Sequence, residues 1–195
     1  CLSRGLGDVY KRQIESRADK NIEKQREELR SLPVYLRSAT YAKENSELDV
    51  YQASRRANIS CKDAIEDAIS SHYNDNRFDT TCVKDVINRF GMERVAVVLA
   101  NTVRDKEWDG RISAENKALA KTIPVPEDRD ARGGNRTYEY ACSKAHPGLI
   151  NLFVNQVRKE QELIKEKKPS VLQKLKETKA DLPKKSPGKV KEAEL

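Results

Sequence analysis

Apolar residues recur at intervals of three and four through most of residues 34–164, and this spacing limits the chain to one class of fold. Because an α-helix makes one turn in 3.6 residues, such spacing places the apolar side chains on a single face. The longest apolar run, residues 95–100, follows Gly91 closely. A strand is an alternative for that run alone, but the helix stop and start around Gly91 favour a helix. We therefore predict an all-α fold whose most buried helix contains this run.

Turn and capping residues divide residues 34–164 into a single domain of about six helices with a long second helix. Pro33 suits a first helical position, Ser46 and Ser113 suit N-caps, Gly91 suits a helix end, and Pro147 begins the last helix. The predicted helices span about residues 33–44, 46–73, 81–90, 93–106, 113–121, 138–145 and 147–164. Residues 123–136, which contain two prolines and two glycines among charges, are predicted to form a loop.

Three further segments are expected to lie outside this domain. Residues 1–13 resemble the translation of a sequencing-library adapter, and since the chain does not open with Met we expect its natural start to be missing. Residues 14–32 form a charged lead-in that we expect to be a marginal helix. Residues 165–195 are rich in Lys and interrupted by Pro, so we predict a basic, disordered tail.

The positive charge is concentrated at the two ends of the chain. The formal net charge is +7, of which residues 1–13 carry +2 and residues 165–195 carry +5, so residues 14–164 sum to zero. Duplex binding needs several cations grouped on one surface, and a neutral domain argues against it. The tail is therefore the expected place for any weak, non-specific contact with nucleic acid, although a solubilising linker is an equal alternative.

The cysteine and histidine content indicates reduced thiols and no metal site. Outside residues 1–13 the chain has Cys61, Cys82 and Cys142, an odd number without a C-x-x-C pair, which is typical of a cytoplasmic protein. Two histidines, His72 and His146, are too few for the usual zinc spacings. No apolar run approaches the ~20 residues that span a bilayer. We expect no metal, no cofactor and no membrane contact.

The strongest candidate for a binding site is a turn followed by a helix start, formed by Trp108, Asp109, Arg111, Asn116 and Lys117. An Arg and an aromatic ring beside an Asn can grip a phosphate, a base or a carboxylate. The alternative, which we favour, is that Trp108 fills the core while Asp109 and Arg111 hydrogen-bond the turn. On that view Trp108→Ala would cost about 3–5 kcal/mol of stability.

Two further polar residues are assigned structural roles. Asn101 lies in the middle of the apolar helix, where an amide needs a partner, and we expect it to tie the Trp108 turn to this helix. His146 precedes Pro147, so a helix N-cap or a surface position is favoured for it. General acid or base chemistry is the alternative for His146, although no Ser, Cys or carboxylate stands at a motif spacing that would pair with it.

Several short motifs resemble a bacterial family called "domain of unknown function 3849". The resemblance covers about residues 34–160, and the Trp-Asp-Gly-Arg turn followed by Asn-Lys is its most specific part. The motifs are Tyr41, Glu44-Asn45, Tyr51, Ser54, Asn58, Glu93-Arg94-Val95, Leu99-Ala100-Asn101-Thr102, Trp108-Asp109-Gly110-Arg111, Asn116-Lys117 and His146-Pro147. The resemblance implies a setting in conjugative elements and phages of gut Firmicutes, and it implies no catalytic residue, cofactor or substrate.

The sequence leaves two functions open. The first is a non-enzymatic accessory or interaction domain of a mobile genetic element, which binds a protein or a nucleic acid. The second is an enzyme acting on nucleic acid, with Asp109, Arg111, Asn116 and His146 gathered around the Trp108 turn. Convergence of those side chains in one open cleft would favour the enzyme, whereas a buried Trp108 with Arg111 paired to Asp109 would favour the binding domain.

Overall fold

The computed structural model describes residues 3–126 and 138–167, and it is a mostly α-helical domain with one small hairpin. The elements are α1 Ser3–Ser31, α2 Ala39–Glu44, α3 Leu48–Ser71, β1 Tyr73–Asn74, β2 Arg77–Phe78, α4 Cys82–Phe90, α5 Met92–Asp105, α6 Ala114–Thr122 and α7 Pro147–Lys167. The predicted fold class is confirmed, including the long second helix of the 34–164 segment, which is α3. The chain divides into two compact units, Cys1–Glu160 and Gln161–Leu195, and the features described below lie in the first.

The core is built around α5, as the apolar run predicts. Val95, Val98, Leu99 and Val103 are all buried, and α3, α4, α6 and α7 each contribute side chains to the same cluster. Gly91 separates α4 from α5 with a φ of +84°, a backbone conformation that other residues rarely adopt. Its N–H still donates to the carbonyl of Ile87, 2.8 Å away, so α4 ends with its last turn closed.

A hairpin with strands of two residues each follows α3, and the sequence indicated only its turn. β1 and β2 pair antiparallel, with Tyr73 opposite Phe78 and Asn74 opposite Arg77. The two residues between them, Asp75 and Asn76, have φ angles of +49° and +59°, as the tightest hairpin turns require. Strands of two residues are too short to give an alternating pattern, so periodicity could not reveal them.

Two segments expected to be helical are not. Residues 33–38 are not helical, and α2 begins only at Ala39, where Ser38 accepts a hydrogen bond from the N–H of Tyr41. Residues 138–145 form turns and bends. Side chains from other elements accept the backbone N–H groups of this segment in place of helical carbonyls. Thr102 Oγ1 accepts from the N–H of Cys142 at 3.0 Å, and Glu66 Oε1 accepts from the N–H of Lys144 at 2.9 Å.

The helix starts and the lead-in also differ in detail. Ser46 is a turn residue with a φ of +59°, and Glu47 precedes α3 without a side-chain cap. The expected marginal helix at 14–32 is part of α1, a continuous helix of 29 residues that begins at Ser3, and Leu29 packs against the core. The predicted disordered tail lies outside the described residues from 168 onward, as does most of the predicted loop, at 127–137. None of the described helices has the length and apolar character needed to cross a bilayer.

The three cysteines outside residues 1–13 are all buried and free of disulfides. Burial raises the pKa of the Cys142 thiol to about 12 and that of Cys82 to about 11. Burial also raises the pKa of Cys61 well above its usual range. These thiols are therefore core residues with little thiolate at neutral pH.

Candidate functional site

The turn between α5 and α6 places Trp108 in solvent, contrary to the expectation that it fills the core. Its side chain is 81% exposed, the most exposed of the large hydrophobic side chains in the described part of the chain. Ile112, four residues later, is only 2% exposed and joins the core cluster. The turn therefore has one inward apolar position, and Ile112 occupies it.

Asp109 and Arg111 hold this turn in one conformation. Arg111 donates to the carboxylate through its backbone N–H at 2.8 Å, through Nε at 3.0 Å and through Nη2 at 2.7 Å. Asp109 is itself buried, with 3% of the residue exposed. Its hydrogen bonds from the Arg111 side chain, followed by the one from the Arg111 backbone, lower the pKa of Asp109 to about 2. The carboxylate is thus ionised and fully used in bracing the turn.

His146 joins the turn to the start of α7. Its Nδ1 lies 3.2 Å from the N–H of Gly148, the geometry of an N-cap, while Nε2 lies 2.7 Å from Nη1 of Arg111. A neutral imidazole has one lone pair for accepting and one N–H. Gly148 donates to Nδ1 in one neutral tautomer, and Arg111 Nη1 donates to Nε2 in the other, so a neutral His146 makes one of these two hydrogen bonds at a time.

Asn116 is directed away from this turn, into the contact between α6 and α7. It is 1% exposed and its Nδ2 donates to Oδ1 of Asn151 and of Asn155, both at 2.8 Å. Its Oδ1 accepts from Nη1 of Arg158 at 3.1 Å. Ser113, the N-cap of α6, is held by the same group, since its N–H donates to Asn151 Oδ1 at 3.0 Å.

The α7 members of this group were not among the residues singled out from the sequence, although a signal was present. Asn151, Asn155 and Arg158 are spaced by four and three residues, which puts them on one face of α7. Because such a stripe is usually a solvated helix face, the spacing alone could not show that it meets Asn116. We call Asn116, Asn151, Asn155 and Arg158 the α6–α7 polar brace.

The remaining candidate residues stay apart from the turn. Lys117 has no hydrogen bond to the turn or to the brace; its charge lowers the pKa of Glu107, after the larger effect of the ion pair between Glu107 and Lys121. Asn101 donates to the carbonyl of Val97 in its own helix, at 3.1 Å. The amide nitrogen of Asn101 therefore bonds its own helix and not the Trp108 turn.

A groove of about 1010 Å³ adjoins the turn and shares His146 with it. One wall is acidic and consists of Asp63, Glu66 and Asp67 on α3. The apolar surfaces of the groove come from the following side chains: Ile69, Tyr73, Phe78, Leu149 and Leu152. The lining has one lysine, Lys144, so the groove has more carboxylates than lysines. No group of three or more potential metal ligands occurs within residues 3–126 and 138–167.

Comparison with known proteins places these features inside one family. A family model described as "Protein of unknown function (DUF3849)" matches residues 34–162, which include the turn, the α6–α7 polar brace and the groove. Neither the curated proteins nor the solved structures yielded a match. Because the matched residues make up about two thirds of the 195-residue chain, the protein belongs to the DUF3849 family.

Proposed function

We propose that the chain is a non-enzymatic interaction domain that binds a protein partner through the Trp108 turn. The observation that carries this proposal is the 81% exposure of Trp108 on a turn that Asp109 and Arg111 already hold in place. An exposed indole gains free energy when a partner covers it, because about 25 cal/mol is released for each Å² of apolar surface removed from water. Tryptophan and arginine are also the residues most enriched at the energetic centres of protein interfaces.

The rigidity of the turn supports recognition rather than core formation as the role of Trp108. Binding costs less when the contacting side chains are ordered beforehand, since less conformational entropy is lost. The inward neighbour Ile112 fixes the turn to the core, and the Asp109 carboxylate fixes its outer loop. Beside the indole, the exposed part of the Arg111 guanidinium supplies donors for a backbone carbonyl or a carboxylate of the partner.

A protein partner is favoured over a nucleic acid by the charges around the turn. The groove that shares His146 has more carboxylates than basic groups, and phosphates are repelled from such a surface. The enzyme alternative is less well supported, because Asp109 is committed to Arg111 and Asn116 lies in the α6–α7 polar brace. The setting that the family resemblance implies leads us to propose a partner encoded by the same mobile element.

The proposal is tested with the products of the genes that flank this one in its source genome. Each product is co-expressed with the tagged parent chain and with Trp108→Ala, and complexes are recovered by affinity purification. Tyr41→Ala is the matched control, because Tyr41 is another exposed aromatic residue, at 44%, and lies on α2. We expect at least one product to be retained by the parent and by Tyr41→Ala and lost with Trp108→Ala. Equal retention by all three chains would contradict the proposal.

A further inference from the structure

The groove between α3 and the beginning of α7 combines an acidic wall with exposed apolar side chains. Asp63, Glu66 and Asp67 occupy positions i, i+3 and i+4 of α3, so their side chains lie on one face. In the same lining, Leu152 is 46% exposed, and Tyr73 at the hairpin is 41% exposed. An exposed leucine and tyrosine within one concave surface mark a place where a partner can bury apolar area.

The carboxylates of this wall differ in what they already bind. Glu66 is buried and accepts the N–H of Lys144, so it is part of the fold. Asp63 has an exposed ion pair with its chain neighbour Lys62 at 3.6 Å, and Asp67 has no ion-pair partner within the described residues. The two aspartates are one helical turn apart, roughly 6 Å between their Cβ atoms. Asp67 therefore presents an unpaired negative charge beside this apolar surface, and Asp63 presents a second one that it shares with Lys62.

We propose that this groove binds a short amphipathic segment of a partner protein in which basic side chains flank apolar ones. Lysines or arginines of that segment pair with Asp63 and Asp67, and its apolar side chains cover Leu152, Leu149 and Tyr73. The charge of the lining selects a cationic segment and repels a nucleic acid. The stretch of α3 from Asp63 to Ser70 extends about 10 Å, at 1.5 Å per residue, which suits two turns of helix or three to four extended residues.

This inference deepens the proposed function, since it names the chemistry of the partner at the surface beside the Trp108 turn. The proposed function and the groove inference can be tested separately, because Trp108 does not line the groove and neither aspartate belongs to the turn. Loss of partner binding in Trp108→Ala concerns the proposed function only. The groove is tested with its own variants and with a probe that does not depend on the natural partner.

The probe is a fluorescein-labelled, capped 14-residue peptide with Leu and Lys in a helical i, i+3, i+4 pattern, measured by fluorescence anisotropy. The variant is Asp63→Asn/Asp67→Asn, and the matched control is Asp19→Asn/Asp105→Asn, which removes the same charge from exposed positions on α1 and α5. Two exposed ion pairs contribute enough together for the groove variant to bind about tenfold more weakly. We expect the control to bind within about twofold of the parent.

A second arm tests the apolar surface and the sign of the charge. Leu152→Ala should weaken binding of the Lys/Leu peptide, whereas the groove variant should not weaken binding of a peptide with Glu in place of every Lys. Circular dichroism of each variant verifies that the helices are intact. The inference is overturned if the groove variant and its control bind the Lys/Leu peptide alike, or if Leu152→Ala binds it as tightly as the parent.

Discussion

At the scale of single residues, Ile112 and Trp108 have different roles in the α5–α6 turn, one buried and one exposed. Ile112 inserts into the core, which leaves the larger indole outside although it stands next to the most apolar helix. Sequence reasoning favoured the reverse, because a lone Trp beside a buried helix is usually a core residue. Which of two apolar residues in a turn points inward depends on the backbone of that turn, and the spacing of residues along the chain does not contain this information.

Trp108→Ala should therefore leave the stability of the domain almost unchanged, within about 0.5 kcal/mol, as is usual for an exposed position. Urea unfolding of parent and variant gives this difference. The parent's emission should be that of a hydrated indole and should be readily quenched by iodide. A loss of about 3 kcal/mol or more, together with blue-shifted emission in the parent, would show that Trp108 is packed after all.

Asp109→Asn should change how stability depends on pH. Because Arg111 lowers the folded-state pKa of Asp109 to about 2, below its ordinary value near 3.9, the ionised carboxylate stabilises the fold above about pH 4. That contribution is lost as the pH falls from 4 towards 2. The variant should melt below the parent at pH 7, and the difference in Tm should shrink across that window.

Asp105→Asn serves as the control for this titration, since Asp105 is an exposed aspartate at the end of α5 and has no ion pair within residues 3–126 and 138–167. Its Tm difference from the parent should be small at every pH. A Tm difference for Asp109→Asn that stayed constant from pH 7 to pH 2 would mean that the carboxylate does not brace the turn through its charge.

At the scale of elements, α6 and α7 are joined by amides as much as by apolar side chains. Asn116 of α6 donates twice and accepts once across this contact, and all three partners come from one face of α7. Buried amides of this kind fix the register of two helices, because a shift by one turn would leave several of them without partners. The α6–α7 polar brace thus sets where α7 begins, and with it the position of His146.

Asn116→Ala should cost about 1–3 kcal/mol, because Asn155 Oδ1 loses its donor while Asn151 Oδ1 and Arg158 each lose one of two partners. Ser113→Ala, which removes only the N-cap of α6, should cost about 1 kcal/mol. Lys117→Ala, one residue away, is the control and should change stability by less than about 0.5 kcal/mol. Urea unfolding ranks the three, and equal effects at positions 116 and 117 would contradict the structural role of the brace.

The helices themselves were predictable from sequence, whereas the segments between them were less so. Periodicity located α3 to α7, and Gly91, Ser113 and Pro147 marked helix ends, because both signals act within a few residues of chain. Residues 138–145 were misassigned, since Thr102 and Glu66, which satisfy that segment, are remote in sequence. At the candidate site, the pairing of Asp109 with Arg111 was foreseeable from their spacing, but the approach of His146 required the whole fold.

At the scale of the whole molecule, Arg94 connects three distant parts of the chain. Its guanidinium is 1% exposed and donates to the carbonyls of Leu32 and Ser54 and, in a short hydrogen bond, to Oδ1 of Asn58. Burial lowers the pKa of Arg94, and Nε is the one buried side-chain polar atom of the described residues that has no partner. Arg94 thus joins the segment between α1 and α2 to α3 and α5, in addition to the hydrogen bond from the N–H of Tyr35 to Ser54.

Arg94→Lys should destabilise the domain by about 2–4 kcal/mol, since an ammonium cannot reach acceptors on both sides as a guanidinium does. The loss of local stability should be largest in the segment between α1 and α2. The N–H of Tyr35, which donates to Ser54 Oγ at 2.9 Å, should exchange with solvent faster in the variant than the amides of α5 do. Uniform acceleration of exchange throughout the domain would mean that Arg94 contributes only to global stability.

The buried cysteines provide an internal measure of how often the domain opens. Cys61 lies on α3, Cys82 at the first residue of α4 and Cys142 in the segment before α7, and each thiol is shielded and held protonated by its surroundings. A thiol reagent can attack them only during the moments when the protein opens. The three modification rates, resolved by mass spectrometry, therefore record how often each part of the domain comes apart. One common rate would identify a single opening event, and a faster Cys142 would show that the segment before α7 opens on its own.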